Sequence, residues 1–137
     1  MPRSFNGKSL PLRGKRVLVA EDDFLVAMDL RVAIEDAGGI ASVERSAKAL
    51  EEAIDSSGLD CVVLDVQLED GTSFAAAKLL KRRRVPFVLM SGYEQTILPP
   101  ELEGSPYLAK PVARHTLVEF VANCVANAAA SRGFTLH

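Results

Sequence analysis

The sequence has two cysteines in 137 residues, no apolar stretch long enough to span a membrane, and no strong excess of either charge. It also has no internal repeat and no low-complexity linker. Each shortage removes a class of function. Cys61 lies in an apolar run and Cys124 on an apolar helical face, so both read as small buried hydrophobes in a reduced cytoplasm, not as a disulfide or a metal pair. A membrane helix needs about 20 consecutive apolar residues, so no membrane insertion is expected. The formal net charge of −2 gives no footprint for nucleic acid. The basic run Lys81-Arg82-Arg83-Arg84 reads as a solvated helix C-terminus whose charges complement the helix dipole. The segment Met1–Lys8 has basic residues but no apolar core after them, which excludes a secretory signal. Gly7-Lys8-Ser9 ends like a phosphate-binding loop, but Pro2 stands where its first glycine belongs and no strand precedes it. His115 and His137 have no second ligand nearby in sequence, and surface roles are expected.

The chemistry lies at the ends of four short apolar runs. Val17-Leu18-Val19-Ala20 ends in Glu21-Asp22-Asp23, and Cys61-Val62-Val63-Leu64 ends in Asp65. Phe87-Val88-Leu89-Met90 ends in Ser91, and Tyr107-Leu108-Ala109 ends in Lys110-Pro111. Short apolar runs alternating with helical patterns read as parallel strands of an α/β sheet. Helices are expected over about Phe24–Ala37, Ala47–Asp55, Ser73–Arg83 and Ala113–Ala129. The stretch from Ser91 to Tyr107 contains Pro99-Pro100 and Gly104, which leaves room for a short or irregular fourth helix only. Residues 1–14 are expected to be a flexible arm, 15–129 a single domain, and 130–137 a tail. That tail is too short for an output domain, so the expectation is a stand-alone module, as a monomer or weak dimer, with a fragment of a longer chain as the alternative.

In parallel α/β sheets ligands bind beyond the carboxyl ends of the strands. The acids, the hydroxyl and the ammonium should therefore converge on one edge. Each has a bland explanation alone. Glu21-Asp22-Asp23 would cap a helix and favour its dipole, a lone Asp65 would begin a turn, Ser91-Gly92 would begin another, and Lys110 would be a solvated charge. Capping does not explain two acid-terminated strands flanking a crossover. Their carboxylates repel, and at least one pKa rises unless a cation sits between them. Carboxylates suit a hard cation such as Mg²⁺, while a hydroxyl and an ammonium suit an oxyanion. A cis Lys110-Pro111 peptide would aim the lysine back across the edge. Together these are the parts needed to place a phosphoryl group on an aspartate.

At these residues the chain resembles the receiver domains of bacterial two-component response regulators. The resemblance covers about residues 15–129 and rests on Val-Leu-Val-Ala-Glu-Asp-Asp at 17–23, Val-Leu-Asp-Val-Gln-Leu-Glu-Asp-Gly at 63–71, Met-Ser-Gly-Tyr at 90–93 and Tyr-Leu-Ala-Lys-Pro at 107–111. It implies a flavodoxin-like, doubly wound, five-stranded parallel sheet of order 2-1-3-4-5, with helices on both faces. It implies that Asp65 accepts a phosphoryl group from a histidine kinase or histidine phosphotransfer protein. Mg²⁺ would be held by Asp22, Asp65 and the backbone carbonyl of Gln67, with Glu21 acting through water. Lys110 and Ser91 would bind the phosphoryl oxygens, Ser91 and Tyr107 would form the switch, and Gln67 and Tyr93 would tune the lifetime. The segment Leu89–Tyr93 followed by Leu98-Pro99 resembles a subgroup of single-domain regulators from alphaproteobacteria with an atypical fourth helix. The expected protein is a cytoplasmic signalling module that catalyses only its own phosphorylation and dephosphorylation and switches binding to a downstream protein target. Two rivals remain at this point. One is a receiver-like scaffold that works without phosphorylation. The other is an aspartate-nucleophile phosphatase of the haloacid dehalogenase type, against which stands Gln67 where a second aspartate belongs.

Overall fold

The computed structural model describes residues 10–56, 58–92 and 98–135. Five parallel strands make the main sheet: β1 (Arg16–Ala20), β2 (Ile40–Glu44), β3 (Cys61–Asp65), β6 (Phe87–Ser91) and β7 (Tyr107–Ala109). Their order is β2-β1-β3-β6-β7, which is the doubly wound order expected. Two further two-residue strands, β4 (Gln67–Leu68) and β5 (Gly71–Thr72), form a small antiparallel hairpin. The helices are α1 (Phe24–Asp36), α2 (Ala47–Ser56), α3 (Phe74–Arg82) and α4 (Arg114–Thr135).

The apolar runs are continuous because both faces of the sheet are covered. Side chains alternate across a strand, so each run feeds two cores. Val17, Val19, Cys61, Val63, Val88 and Met90 pack under α1 and α4 with Leu30, Ile34, Leu117 and Val121. Leu18, Ala20, Val62, Leu64 and Leu89 pack on the other face with Leu50 and Ile54 of α2 and Ala77 and Leu80 of α3. Cys61 is buried as expected, and burial raises its thiol pKa far above the ordinary range. Cys124 is only half-buried.

Two boundaries differ from expectation, and the helical element described between β6 and β7 is short as expected. The arm does not reach residue 14. Leu12 is fully buried, and its amide donates to the Ala37 carbonyl at 2.9 Å, so Leu10–Gly14 is part of the domain. That strap crosses the end of α1, where Gly38 takes φ +94 and an added Cβ would meet Leu10 Cβ at 2.8 Å. At the other end α4 continues past Ala129 to Thr135. The run Ala128-Ala129-Ala130 has the best helix propensity available and no proline follows it. Between β6 and β7 the described residues contain one 3-10 turn, Pro100–Leu102. Leu102 is fully buried against the α2/α3 face, and Lys78 Nζ pairs with Glu101 Oε1 at 3.2 Å. Residues 93–97, including Tyr93, residues 1–9, and His137 lie outside the described residues.

Candidate functional site

Every strand that ends in a chemically active residue delivers it to the same edge. Glu21 and Asp22 follow β1, Asp65 ends β3, Ser91 ends β6 and Lys110 follows β7. Glu21, Asp65 and Ser91 are buried, while Asp22 is half-buried. Carboxylate oxygens of Glu21, Asp22 and Asp65 all lie within 4.8 Å of one another. Lys110 Nζ donates to Glu21 Oε1 at 2.8 Å and to Asp65 Oδ2 at 2.7 Å. The Lys110–Pro111 peptide is cis.

The acids after β1 divide their work. Asp23 is the cap of α1: its Oδ1 accepts from the amides of Leu25 at 3.0 Å and Val26 at 3.2 Å. The capping explanation thus holds for Asp23 and leaves Glu21 and Asp22 to the cluster. Glu21 Oε2 accepts from the Asp23 amide at 3.0 Å, so both of its oxygens have partners. Burial raises the Glu21 pKa, the hydrogen bonds from Lys110 and Asp23 pull it back, and the Asp65 charge adds to the rise. Desolvation acts to lower the Lys110 pKa, but its hydrogen bonds to Asp65 and Glu21 outweigh that and the net shift is upward.

Three carboxylates face one ammonium, so the cluster keeps an excess of negative charge. All donors are oxygens, the set that fits a small hard divalent cation such as Mg²⁺. Gln67 is exposed, and its backbone amide donates to Asp65 Oδ1 at 3.2 Å, which places its backbone beside the Asp65 carboxylate. Ser91 pairs in register with Ala109, and Leu89 with Tyr107. Alternation therefore puts Ser91 and Tyr107 on one face of the sheet, the α2/α3 side, where Tyr107 is half-buried.

Sequence reasoning missed two residues. Ser73 Oγ donates to the backbone carbonyl of Asp65 at 2.7 Å. Asp70, in the β4–β5 hairpin, accepts from the amides of Ala47 at 2.7 Å and Lys48 at 3.2 Å, capping α2 from outside. The Ala47 hydrogen bond leads in holding the Asp70 carboxyl below the ordinary aspartate range. In sequence Asp70 precedes a glycine and Ser73 opens a helical pattern, which are ordinary turn and cap positions. Arg45 Nη2 adds a third tie, to the Asp22 carbonyl at 3.1 Å.

Beside this edge lies an exposed apolar patch on α1, with Phe24 65% exposed, Leu25 75% and Met28 40%. A groove of about 420 Å³ runs from it between Leu25, Leu30, Met90, Pro111 and Val112 to Lys110.

A family model for the response regulator receiver domain matches residues 17–122. The chain is similar to the phyllosphere-induced regulator PhyR of Methylorubrum extorquens, at 34% identity over 100 residues, 69% of this chain and 38% of that protein. It is also similar to the sensory transduction protein LytT of Bacillus cereus, at 31% identity over 110 residues, 76% of this chain and 44% of that protein. It spans less than half the length of these curated relatives. A response regulator receiver domain protein from Methanospirillum hungatei superposes with a TM-score of 0.79, covering 86% of this chain and 98% of that one at 20% identity. The response regulator PhyR from Brucella abortus superposes with a TM-score of 0.74, covering 90% of this chain and 53% of that one, also at 20% identity. These two superpositions show the shared fold. No helix among the described residues is long and apolar enough to cross a membrane.

Proposed function

The chain belongs to the response regulator receiver domain family, and from that premise we propose that Asp65 accepts a phosphoryl group from a phosphohistidine. The observation that carries this is the Lys110 ammonium bonded at once to Glu21 and Asp65, at the sheet edge that also holds Asp22. The Asp65 carboxylate attacks phosphorus, the P–N bond to the donor histidine breaks, and its electron pair returns to the imidazole. Such transfers need in-line placement and charge neutralisation more than covalent help from the protein. Mg²⁺ held by Asp22, Asp65 and the Gln67 carbonyl, with Glu21 reached through water, would supply part of that neutralisation. Lys110 supplies the rest from the ammonium already against Asp65. Ser91 donates its hydroxyl to a phosphoryl oxygen. The new dianion draws Ser91 toward it, and Tyr107, on the same face, turns into the space left, so that a local charge event biases a two-state element. On this reading the chain catalyses only its own phosphorylation and dephosphorylation. The test is incubation with a small phosphodonor and Mg²⁺ followed by intact mass measurement, which should show one added phosphoryl group.

The apolar patch and groove support a protein phosphodonor, a histidine kinase or a histidine phosphotransfer protein, seated on α1. Large exposed apolar side chains beside a reactive site mark docking surfaces. Replacing Phe24 and Leu25 together with Ala should slow transfer from a phosphorylated protein donor by about tenfold or more, the effect of losing about 1.4 kcal/mol of contact. Phosphorylation by a small phosphodonor should be almost unchanged, because the acceptor chemistry is intact. Equal slowing with both donors would remove the docking role.

A further inference from the structure

We propose that Ser73 is a positioning residue that locks the phosphoacceptor backbone to α3 and thereby sets the alignment of the Asp65 carboxylate with the Gln67 carbonyl. The inference rests on the acceptor role of Asp65 argued above. Ser73 is fully buried. It uses both of its donors on consecutive carbonyls: Oγ donates to Asp65 O at 2.7 Å, and its amide donates to Val66 O at 2.9 Å. On the opposite side the Val66 amide donates to Met90 O at 2.8 Å, and the Gln67 amide donates to Asp65 Oδ1 at 3.2 Å. Four hydrogen bonds thus fix the two peptide planes between Asp65 and Gln67, and one residue supplies two of them.

The orientation of the hydroxyl is the telling feature. Ser73 is the N-cap residue of α3, where a serine ordinarily accepts from the amides of the first turn. It makes no such side-chain bond here. The hydroxyl is turned away from its own helix and toward the acceptor strand. The Ser73 carbonyl meanwhile accepts from the Ala77 amide at 2.9 Å, so the residue that holds Asp65 is itself held by the first turn of α3. Without the hydroxyl, the peptide plane that carries the Asp65 carbonyl would be held from one side only, by the Val66 amide on Met90 O. The Gln67 carbonyl, two peptide planes on, would lose its direction relative to the carboxylate. Groups that orient the ligands of a metal typically change its affinity by about 10–100-fold when removed.

The test uses the full chain and three variants. Ser73→Ala removes the hydroxyl, Ser73→Cys keeps the volume with a weak donor, and Ser73→Thr keeps the hydroxyl. Mg²⁺ affinity is measured by calorimetric titration of folded protein well below its melting temperature. Maximal phosphorylation rate by a small phosphodonor is then measured at saturating Mg²⁺. Ser73→Ala and Ser73→Cys should weaken Mg²⁺ binding by about tenfold or more and lower the maximal rate, with Ser73→Thr close to the native protein in both. A lower melting temperature with unchanged Mg²⁺ affinity and rate would make Ser73 merely structural and overturn the proposal. A folded Ser73→Thr variant that behaves like Ser73→Ala would overturn it equally. A native protein that takes no phosphoryl group overturns the acceptor role of Asp65 itself, whereas native labelling with indifferent Ser73 variants overturns this inference alone.

Discussion

Asp65→Asn should take up no phosphoryl group from either a small phosphodonor or a phosphohistidine protein, under conditions that label the native chain to one equivalent. The substitution keeps the shape of the side chain and removes the nucleophile, because an amide oxygen is far less nucleophilic than a carboxylate. It should leave the fold intact. Asp65 accepts from Lys110 through Oδ2 and from the Gln67 amide through Oδ1; one oxygen of an asparagine keeps one of these, and the change also relieves repulsion with Glu21. The melting temperature without Mg²⁺ should therefore hold or rise while labelling disappears. Labelling of Asp65→Asn at the native rate would move the acceptor elsewhere, and Asp22, the half-buried acid of the same cluster, would be the next to test.

The candidate site was legible in the sequence because of the way a parallel sheet writes itself. Its strands are buried on both faces, so they appear as unbroken apolar runs, and the first polar residue after each run lies on the ligand-binding edge. Glu21, Asp65, Ser91 and Lys110 each close or follow such a run, and the fold sets them at one edge as that signal implies. The division of labour between Asp22 and Asp23 was not legible, because adjacent acids before a helix satisfy the capping pattern equally well. Only the bonds from Leu25 and Val26 to Asp23 separate them. Ser73 and Asp70 were invisible for another reason. Their partners are backbone groups, at separations of 8 and 23 residues, and a backbone carbonyl or amide leaves no mark in a sequence. The ends of the domain were blurred in the same way. Leu12 is one apolar residue among Pro11, Arg13 and Gly14, with no periodicity to show that it enters the core. The register of β6 with β7, which puts Ser91 and Tyr107 on one face, depends on pairing that the two runs do not encode separately.

Lys110→Ala tests the electrostatics of the cluster, and its largest effect should be on stability in the absence of metal. The lysine is the ammonium that bridges Glu21 and Asp65, and Glu21 is fully buried. Removing one partner of a buried ion pair typically costs about 3–5 kcal/mol, since the other charge is left uncompensated. Protonation of Glu21 limits that loss. Its pKa is already raised, chiefly by burial, and loss of the Lys110 hydrogen bond raises it further. The sign comes from linkage. A carboxyl whose folded pKa lies above its unfolded value binds more protons folded than unfolded, so its contribution to stability is complete below the unfolded pKa, about 4.3 for glutamate, and is lost as pH rises through the folded pKa. The deficit of Lys110→Ala should thus be greatest at neutral pH and should shrink as pH falls toward that value. Millimolar Mg²⁺ should narrow the neutral-pH deficit too, since a cation that binds only the folded form stabilises it by mass action and three carboxylates without an ammonium attract it more strongly. Urea unfolding of the native and variant chains at neutral and mildly acidic pH, with and without Mg²⁺, reads all three effects. Equal stability of the two chains at neutral pH without metal would mean that the ammonium does not bridge Glu21 and Asp65 in solution. A deficit that Mg²⁺ leaves unchanged would remove the cation from the cluster.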